Sequence, residues 1–198
     1  MAIRAVSFDI GGVLEITPKL GVEAKWEPEF GAGFGGLLSD VWRAGSVGTI
    51  TLAQVHERLG EILGVAPDRV SAFLDDIWTE YLGTLNVELV EYWRALHGPY
   101  ATGIVSNSFV GAREKEEAAY KFSEMADFIS YSHEVGVSKP DPLIYQTCLD
   151  ALGVRADEAV FLDDAPMCVE GARALGMHAV RFEDTAQAVA EIDALLGR

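Results

Sequence analysis

Four short stretches of this chain carry residues able to do chemistry on an anion. Asp9 ends the apolar run in IRAVSFDIGGVL and is followed by Gly11-Gly12. A lone carboxylate there can act as nucleophile or metal ligand, and the two glycines let backbone N–H groups turn toward an anion. Ser106-Asn107-Ser108 closes a second apolar run, and its hydroxyls can bind a phosphate oxygen. Lys139 stands in VSKPDP, just ahead of a helix that Pro142 initiates. Asp163-Asp164 ends the run AVFL, and two adjacent carboxylates repel each other unless a cation or hydrogen-bond donors offset them. Each stretch alone has an ordinary explanation, as a turn, a helix cap or a solvated charge. Together a candidate nucleophile, a hydroxyl, an ammonium group and an acid pair are far less ordinary than any one of them.

The elements that must hold these residues are legible as a pattern. Short buried strands are expected at Val6-Ser7-Phe8, Ala101–Ser106, Phe128–Tyr131, Ala159–Leu162 and His178–Phe182. Helices are expected over Gly111–Phe122, Pro142–Leu152, Pro166–Leu175 and Thr185–Leu196, with Gly153 and Gly176 as stop signals. Strands alternating with helices of this length predict an α/β fold, a doubly wound parallel sheet. Ligands of such sheets bind at the carboxyl ends of the strands, where all four stretches fall.

Between the first two strands lies far more chain than one crossover helix requires, and it carries its own helical periodicity. The expected division is a core domain of residues 1–14 and 100–198, with an all-helical subdomain of residues 15–99 inserted into it. Leu52, Val55, Leu59, Ile62 and Leu63 share one helical face behind a Thr51/Gln54 capping box. Val70, Phe73, Leu74, Ile77, Trp78 and Tyr81 share another, and Leu89, Val90, Trp93 and Leu96 a third after an Asn86 cap. Gly31–Gly36 satisfies the dinucleotide pattern GxGxxG, but no strand precedes it, so it reads as a connector.

Asp and Glu number 31 against 15 Lys and Arg, a formal net charge of −16, which argues against nucleic acid or an anionic membrane as partner. An anionic small substrate then requires a local positive centre, and a bound metal ion supplies one. The two cysteines, Cys148 and Cys168, have no disulfide or zinc spacing and fit a reducing compartment, so the cytoplasm is the expected location. There is no run of about 18 apolar residues and no basic-then-apolar leader pattern. Oligomeric state, monomer or homodimer, is open at this stage.

The pieces FDIGGVL, IVSNS, SKPDP and FLDDAPMCVEGARALGM, in that order, resemble the haloacid-dehalogenase-like hydrolase superfamily. The resemblance implies a Rossmann-like core with a helical cap inserted after the first motif, and a phosphatase-type member. It implies that Asp9 attacks a phosphoryl group to form an aspartyl-phosphate that water hydrolyses. Ser106 would hold a phosphate oxygen with Asn107 supporting it, Gly11 and Gly12 would line the anion, and Lys139 would neutralise nucleophile and phosphoryl group. Asp9, the Gly11 carbonyl, Asp164 and Asp163, directly or through water, would hold Mg²⁺. The expected partner is a small phosphorylated metabolite.

The chain departs from that family at Gly11, where most phosphatases of the superfamily place a second aspartate as general acid and base. Its loss forfeits about 10²- to 10⁴-fold in rate, which is tolerable for a leaving group that departs readily, such as an anomeric sugar or acyl phosphate, or if another residue or the substrate shuttles the proton. Glu15 and Glu134 lie near motif positions and are the candidate substitutes. Cys168 stands where relatives often carry Asn. Two alternatives remain open from sequence: a catalytically impaired relative with a binding role, and a 2-haloacid dehalogenase. The acid pair counts against the dehalogenase. Receiver domains carry similar residues in a different chain order, and Lys19 and Lys25, in a polar linker, do not provide the cap lysine of a phosphonatase.

Overall fold

The structure, a computed structural model, describes residues 2–198. Its strands are β1 (Ala5–Phe8), β2 (Glu15–Ile16), β3 (Thr84–Leu85), β4 (Ala101–Ser106), β5 (Phe128–Tyr131), β6 (Ala159–Asp163) and β7 (His178–Arg181). Five of them form a parallel sheet in the order β5-β4-β1-β6-β7, while β2 and β3 pair antiparallel beside it. Strand β1 sits centrally, so the chain winds to one side through β4 and β5 and then crosses to β6 and β7. Phe8 is in register with both Ile104 and Leu162. Asp9, Ser106 and Asp163 therefore emerge side by side at the switch point, the place where such sheets bind ligands.

The period-2 alternation of the strands sorts their side chains onto two apolar faces. Val6, Phe8, Ile104, Val160 and Leu162 belong to one cluster, and Ala5, Val105, Ala159 and Phe161 to the other. Helices must cover both faces, which explains why the strands read as continuous apolar runs rather than as alternating ones.

Helices α1 (Val22–Phe30), α2 (Phe34–Leu37), α3 (Ser39–Ser46), α4 (Leu52–Leu63) and α5 (Pro67–Leu82) lie between β2 and β3. Helix α6 (Val87–Leu96) leads into β4, and α7 (Ala112–Tyr120), α8 (Ser132–Val135), α9 (Pro142–Leu152), α10 (Pro166–Leu175) and α11 (Thr185–Leu196) fill the rest. The first five helices bury a cluster of their own, including Trp26, Val41, Val55, Leu59, Val70, Phe73 and Trp78. The rings of Trp26, Phe30 and Phe34 meet Phe73 edge-on at centroid distances of 5.4–5.8 Å. Each such buried side chain contributes about 1.5–3 kcal/mol. The capping box of Thr51 and Gln54 and the Asn86 cap are both formed.

Two segments differ from expectation. Leu89, Val90, Trp93 and Leu96 pack on the sheet and not with the insertion, and Trp93 stacks on Phe8 at 5.8 Å. An amphipathic stripe states that a face is buried but not against what. The polar linker that carries Lys25 includes the helix α1, which buries Val22 and Trp26 and packs Phe30 partly against the same cluster. The GxGxxG segment is a connector and the short helix α2, with no strand before it. Among the described residues no helix is long and apolar enough to cross a membrane.

Candidate active site

The carboxyl end of β1 delivers Asp9, whose backbone N–H donates to Leu162 of the neighbouring strand at 2.9 Å. The Lys139 ammonium group bridges Asp9 Oδ1 and Asp163 Oδ2, each at 2.7 Å, and its side chain is 1% exposed. Asp163 Oδ1 accepts from the Ala165 N–H at 2.8 Å. Both oxygens of Asp163 are thus engaged, so it anchors Lys139 and the start of α10. Asp164 is the exposed member of the pair, and its carboxylate faces the Gly12 backbone. The N-cap of α10 is Ala165, with no side-chain cap, so neither aspartate of the pair serves as the helix cap.

Asn107 shows why Lys139 is held so closely. Its Oδ1 accepts from the Lys139 backbone N–H at 2.7 Å and its Nδ2 donates to the Lys139 carbonyl at 3.2 Å. The Lys139–Pro140 peptide between these elements is cis. Asn107 therefore positions the lysine, while the buried Ser106 hydroxyl makes only a long 3.5 Å contact with the Asn107 carbonyl and remains available to a ligand. Ser108 is buried as well: its N–H donates to Ser132 Oγ, which in turn donates to the Ser46 carbonyl of α3.

Gly12 adopts φ +76°, and a Cβ on it would stand 2.7 Å from Asp164 Oδ2. Only glycine allows the loop and the second carboxylate to approach this closely. At Gly11 the opposite holds, since a Cβ there meets nothing within 4 Å. The first atom of a side chain at this position would find open space.

Burial, partly offset by Lys139 and reinforced by Asp163, pushes Asp9 up to about 6. Burial also raises Asp163, with Lys139 working against the shift. Burial opposes the charge on Lys139, but Asp9 and Asp163 outweigh it and keep the lysine protonated. One oxygen from each of Asp9, Asp163 and Asp164 lies within 4.8 Å of the others. Three carboxylates with a single neutralising lysine fit a hard divalent cation, which takes oxygen ligands and offsets exactly this kind of repulsion.

The two candidate proton donors separate. Glu134 is bound by Arg113 on the surface at 2.5 and 2.6 Å, and that hydrogen bond keeps its pKa low. Glu15 on β2 is buried, with Oε2 unpartnered and Oε1 accepting from Thr17 at 3.4 Å. Burial and the neighbouring Glu116 push it up to about 9. It carries a proton at neutral pH, but among the described residues no hydrogen bond joins it to Asp9.

Glu116 itself is a site residue that sequence reasoning missed. It lies in the polar helix AREKEEAAY, where a glutamate reads as solvated, yet it is fully buried and accepts from Tyr81 at 2.9 Å and from Tyr131. Burial pushes it up to about 7, against the pull of those two hydroxyls. Glu15 and Glu116 both hold protons more tightly folded than unfolded, so the chain loses stability as pH rises from the ordinary glutamate value of 4.5 through about 9. Thermal unfolding without metal is expected to show a midpoint that falls from pH 5 to pH 9, with Glu15→Gln flattening the upper part of that fall. A midpoint rising over this range contradicts the assignment. Cys168 has its carbonyl engaged by the Tyr145 hydroxyl at 2.8 Å, and burial pushes its thiol up to about 11.

An aspartate at the carboxyl end of the central strand, a buried lysine and an acid pair stand together on this topology, the arrangement that the motif resemblance implies. The chain belongs to the haloacid dehalogenase-like hydrolase family, whose profile matches residues 3–176. Acyl-CoA dehydrogenase family member 10 of Mus musculus is 28% identical over 208 residues, 98% of this chain but 19% of that protein. Phosphatase MT3486 of Mycobacterium tuberculosis is 36% identical over 87 residues, 43% of this chain and 40% of that one. The chain spans about a fifth of the length of the first curated relatives it matches, and a haloacid dehalogenase stands among the relatives too. A HAD family enzyme of Bacteroides thetaiotaomicron, solved with magnesium and inorganic phosphate, superposes with a TM-score of 0.74 at 20% identity, covering 91% of this chain and 94% of that one.

Proposed function

We propose that this hydrolase is a Mg²⁺-dependent phosphatase of a small phosphate monoester, working through an aspartyl-phosphate on Asp9. The observation that carries the reading is Lys139 held at 2.7 Å from both Asp9 and Asp163, with Asp164 completing a carboxylate set that lacks enough positive charge. A dehalogenase displaces halide from carbon and has no use for an acid pair. The phosphatase relative and the magnesium- and phosphate-bound structural neighbour support the same choice.

In this reading the free oxygen of Asp9 attacks phosphorus in line with the departing oxygen, which leaves with its electron pair. Lys139 neutralises Asp9 and the phosphoryl oxygens, and Ser106 Oγ donates to one of them. Asn107 keeps the lysine in place, and water then cleaves the acyl phosphate to release inorganic phosphate and restore Asp9. Asp9, the Gly11 carbonyl and Asp164 would hold Mg²⁺, with Asp163 orienting its water, and the ion would supply the positive charge that a chain with fifteen Lys and Arg lacks. In this reading the five-helix insertion acts as the cap, and the protein works in the cytoplasm.

Metal binding gives the test. Millimolar Mg²⁺ is expected to raise the thermal midpoint, since a ligand at 100 times its Kd stabilises by about 2.7 kcal/mol. The shift should shrink as pH falls through about 6, where Asp9 takes up a proton and ceases to be a ligand. No shift at any pH, together with phosphate release that EDTA leaves intact, contradicts the proposal.

A further inference from the structure

A cavity of about 380 Å³ opens between α3, α5 and the loop that follows β4. Trp42, Leu74, Ile77, Trp78 and Phe109 form its walls. The rings of Trp42 and Trp78 both stand edge-on to Phe109, at centroid distances of 5.4 and 6.2 Å. Phe109 is the third residue after Ser106 in the same loop. On the opposite wall the Tyr81 hydroxyl donates to Glu116, whose second partner, Tyr131, is paired in register with Ser106. Ser46, also on the rim, accepts through its carbonyl from Ser132 Oγ, which in turn holds the Ser108 backbone. The cavity is thus tied from both sides to the strand end that presents Ser106.

Its walls are apolar, and the charged and hydroxyl groups at its rim already have partners within the protein. Tyr81 is bonded to Glu116, and Arg43 is paired with Asp40 at 2.6 Å. A sugar hydroxyl facing these walls loses water, and each one left without a partner costs about 1–3 kcal/mol. A flat apolar ring loses nothing and gains edge-to-face contacts. At the lower end of the usual range for ligand pockets, about 300–1,000 Å³, the cavity suits one or two fused rings.

Gly11 points to the same chemistry independently. With no acid at that position, the leaving oxygen departs unprotonated, which a phenolate of pKa about 10 does far more readily than an alkoxide. We propose that the substrate is an aryl phosphate monoester, its aromatic ring seated between Trp42, Ile77, Trp78 and Phe109 while its phosphoryl group meets Asp9. The Asp9–phosphorus bond forms as the bond from phosphorus to the aryl oxygen breaks, and the phenolate takes its proton from water. This rests on the phosphatase reading.

The test compares 2-naphthyl phosphate, glycerol phosphate and acetyl phosphate with Mg²⁺. Wild-type protein is expected to favour 2-naphthyl over glycerol phosphate by at least about 100-fold in kcat/KM, a difference within reach of a hydrophobic pocket combined with leaving-group ability. Ile77→Trp, which fills the cavity, should lower the ratio of 2-naphthyl to acetyl phosphate kcat/KM by about tenfold or more, chiefly through KM. Trp42→Ala, which removes a wall, should lower the same ratio. Turnover of acetyl phosphate without preference for the naphthyl ester, or ratios that neither variant moves, overturns the inference and leaves the phosphatase reading standing. Absence of turnover with all three esters overturns both.

Discussion

Exchanging Gly11 for aspartate is expected to raise kcat for an alkyl phosphate such as glycerol phosphate by about 10²- to 10⁴-fold, the contribution of a positioned general acid. The space is there, because a Cβ at Gly11 meets nothing within 4 Å and the backbone has no positive φ to strain. Gly12 offers no such room. The gain should depend on the leaving group. An alkoxide needs the proton, whereas an acyl phosphate departs without it, so acetyl phosphate should change little. The added carboxylate also joins Asp9, Asp163 and Asp164, so the metal-free variant should unfold at a lower temperature than the parent, and Mg²⁺ should recover more of its stability. Steady-state rates over a series of esters of increasing leaving-group pKa check this. Equal effects on good and poor leaving groups would show that Gly11 is not the position of a missing acid.

Replacing Asp9 by asparagine is expected to remove phosphate release to below detection while leaving the fold intact. Asparagine has nearly the same shape but no carboxylate to attack phosphorus, and nothing else at the sheet edge replaces it. Stability should survive, because Asp9 is held up at about 6 by burial and its charge is costly to the folded chain. Lys139 keeps Asp163 at 2.7 Å as its partner. Circular dichroism and thermal unfolding alongside the rate measurement separate loss of the nucleophile from loss of structure. A variant that stays folded and still turns over a phosphate ester would place the chemistry elsewhere.

The strand ends carrying Asp9, Ser106 and Asp163 could be read before the structure, because a strand buried on both faces shows as an apolar run that stops where chemistry begins. Their adjacency followed from the order of a doubly wound sheet. What could not be read was side-chain direction. Asn107, expected to support a phosphate oxygen, spends both amide atoms on the Lys139 backbone. Glu116 is a glutamate in a charged helix, and only the packing of Tyr81 and Tyr131 from two other elements makes it a buried acid. Helix α6 has the same kind of stripe as α4 and α5, but periodicity cannot say that its partner is Phe8 of the sheet. The aromatic cavity draws Trp42, Trp78 and Phe109 from three segments far apart in the chain, so no local motif announces it.

The account stands most directly on whether phosphate passes through Asp9. Protein mixed with 2-naphthyl or acetyl phosphate and Mg²⁺, quenched in acid within the first turnover and digested, should yield the peptide containing Asp9 with a phosphoryl group attached, and no such peptide when EDTA replaces the metal. Phosphate released at an undiminished rate with the Asp9 peptide unmodified at every quench time would contradict it.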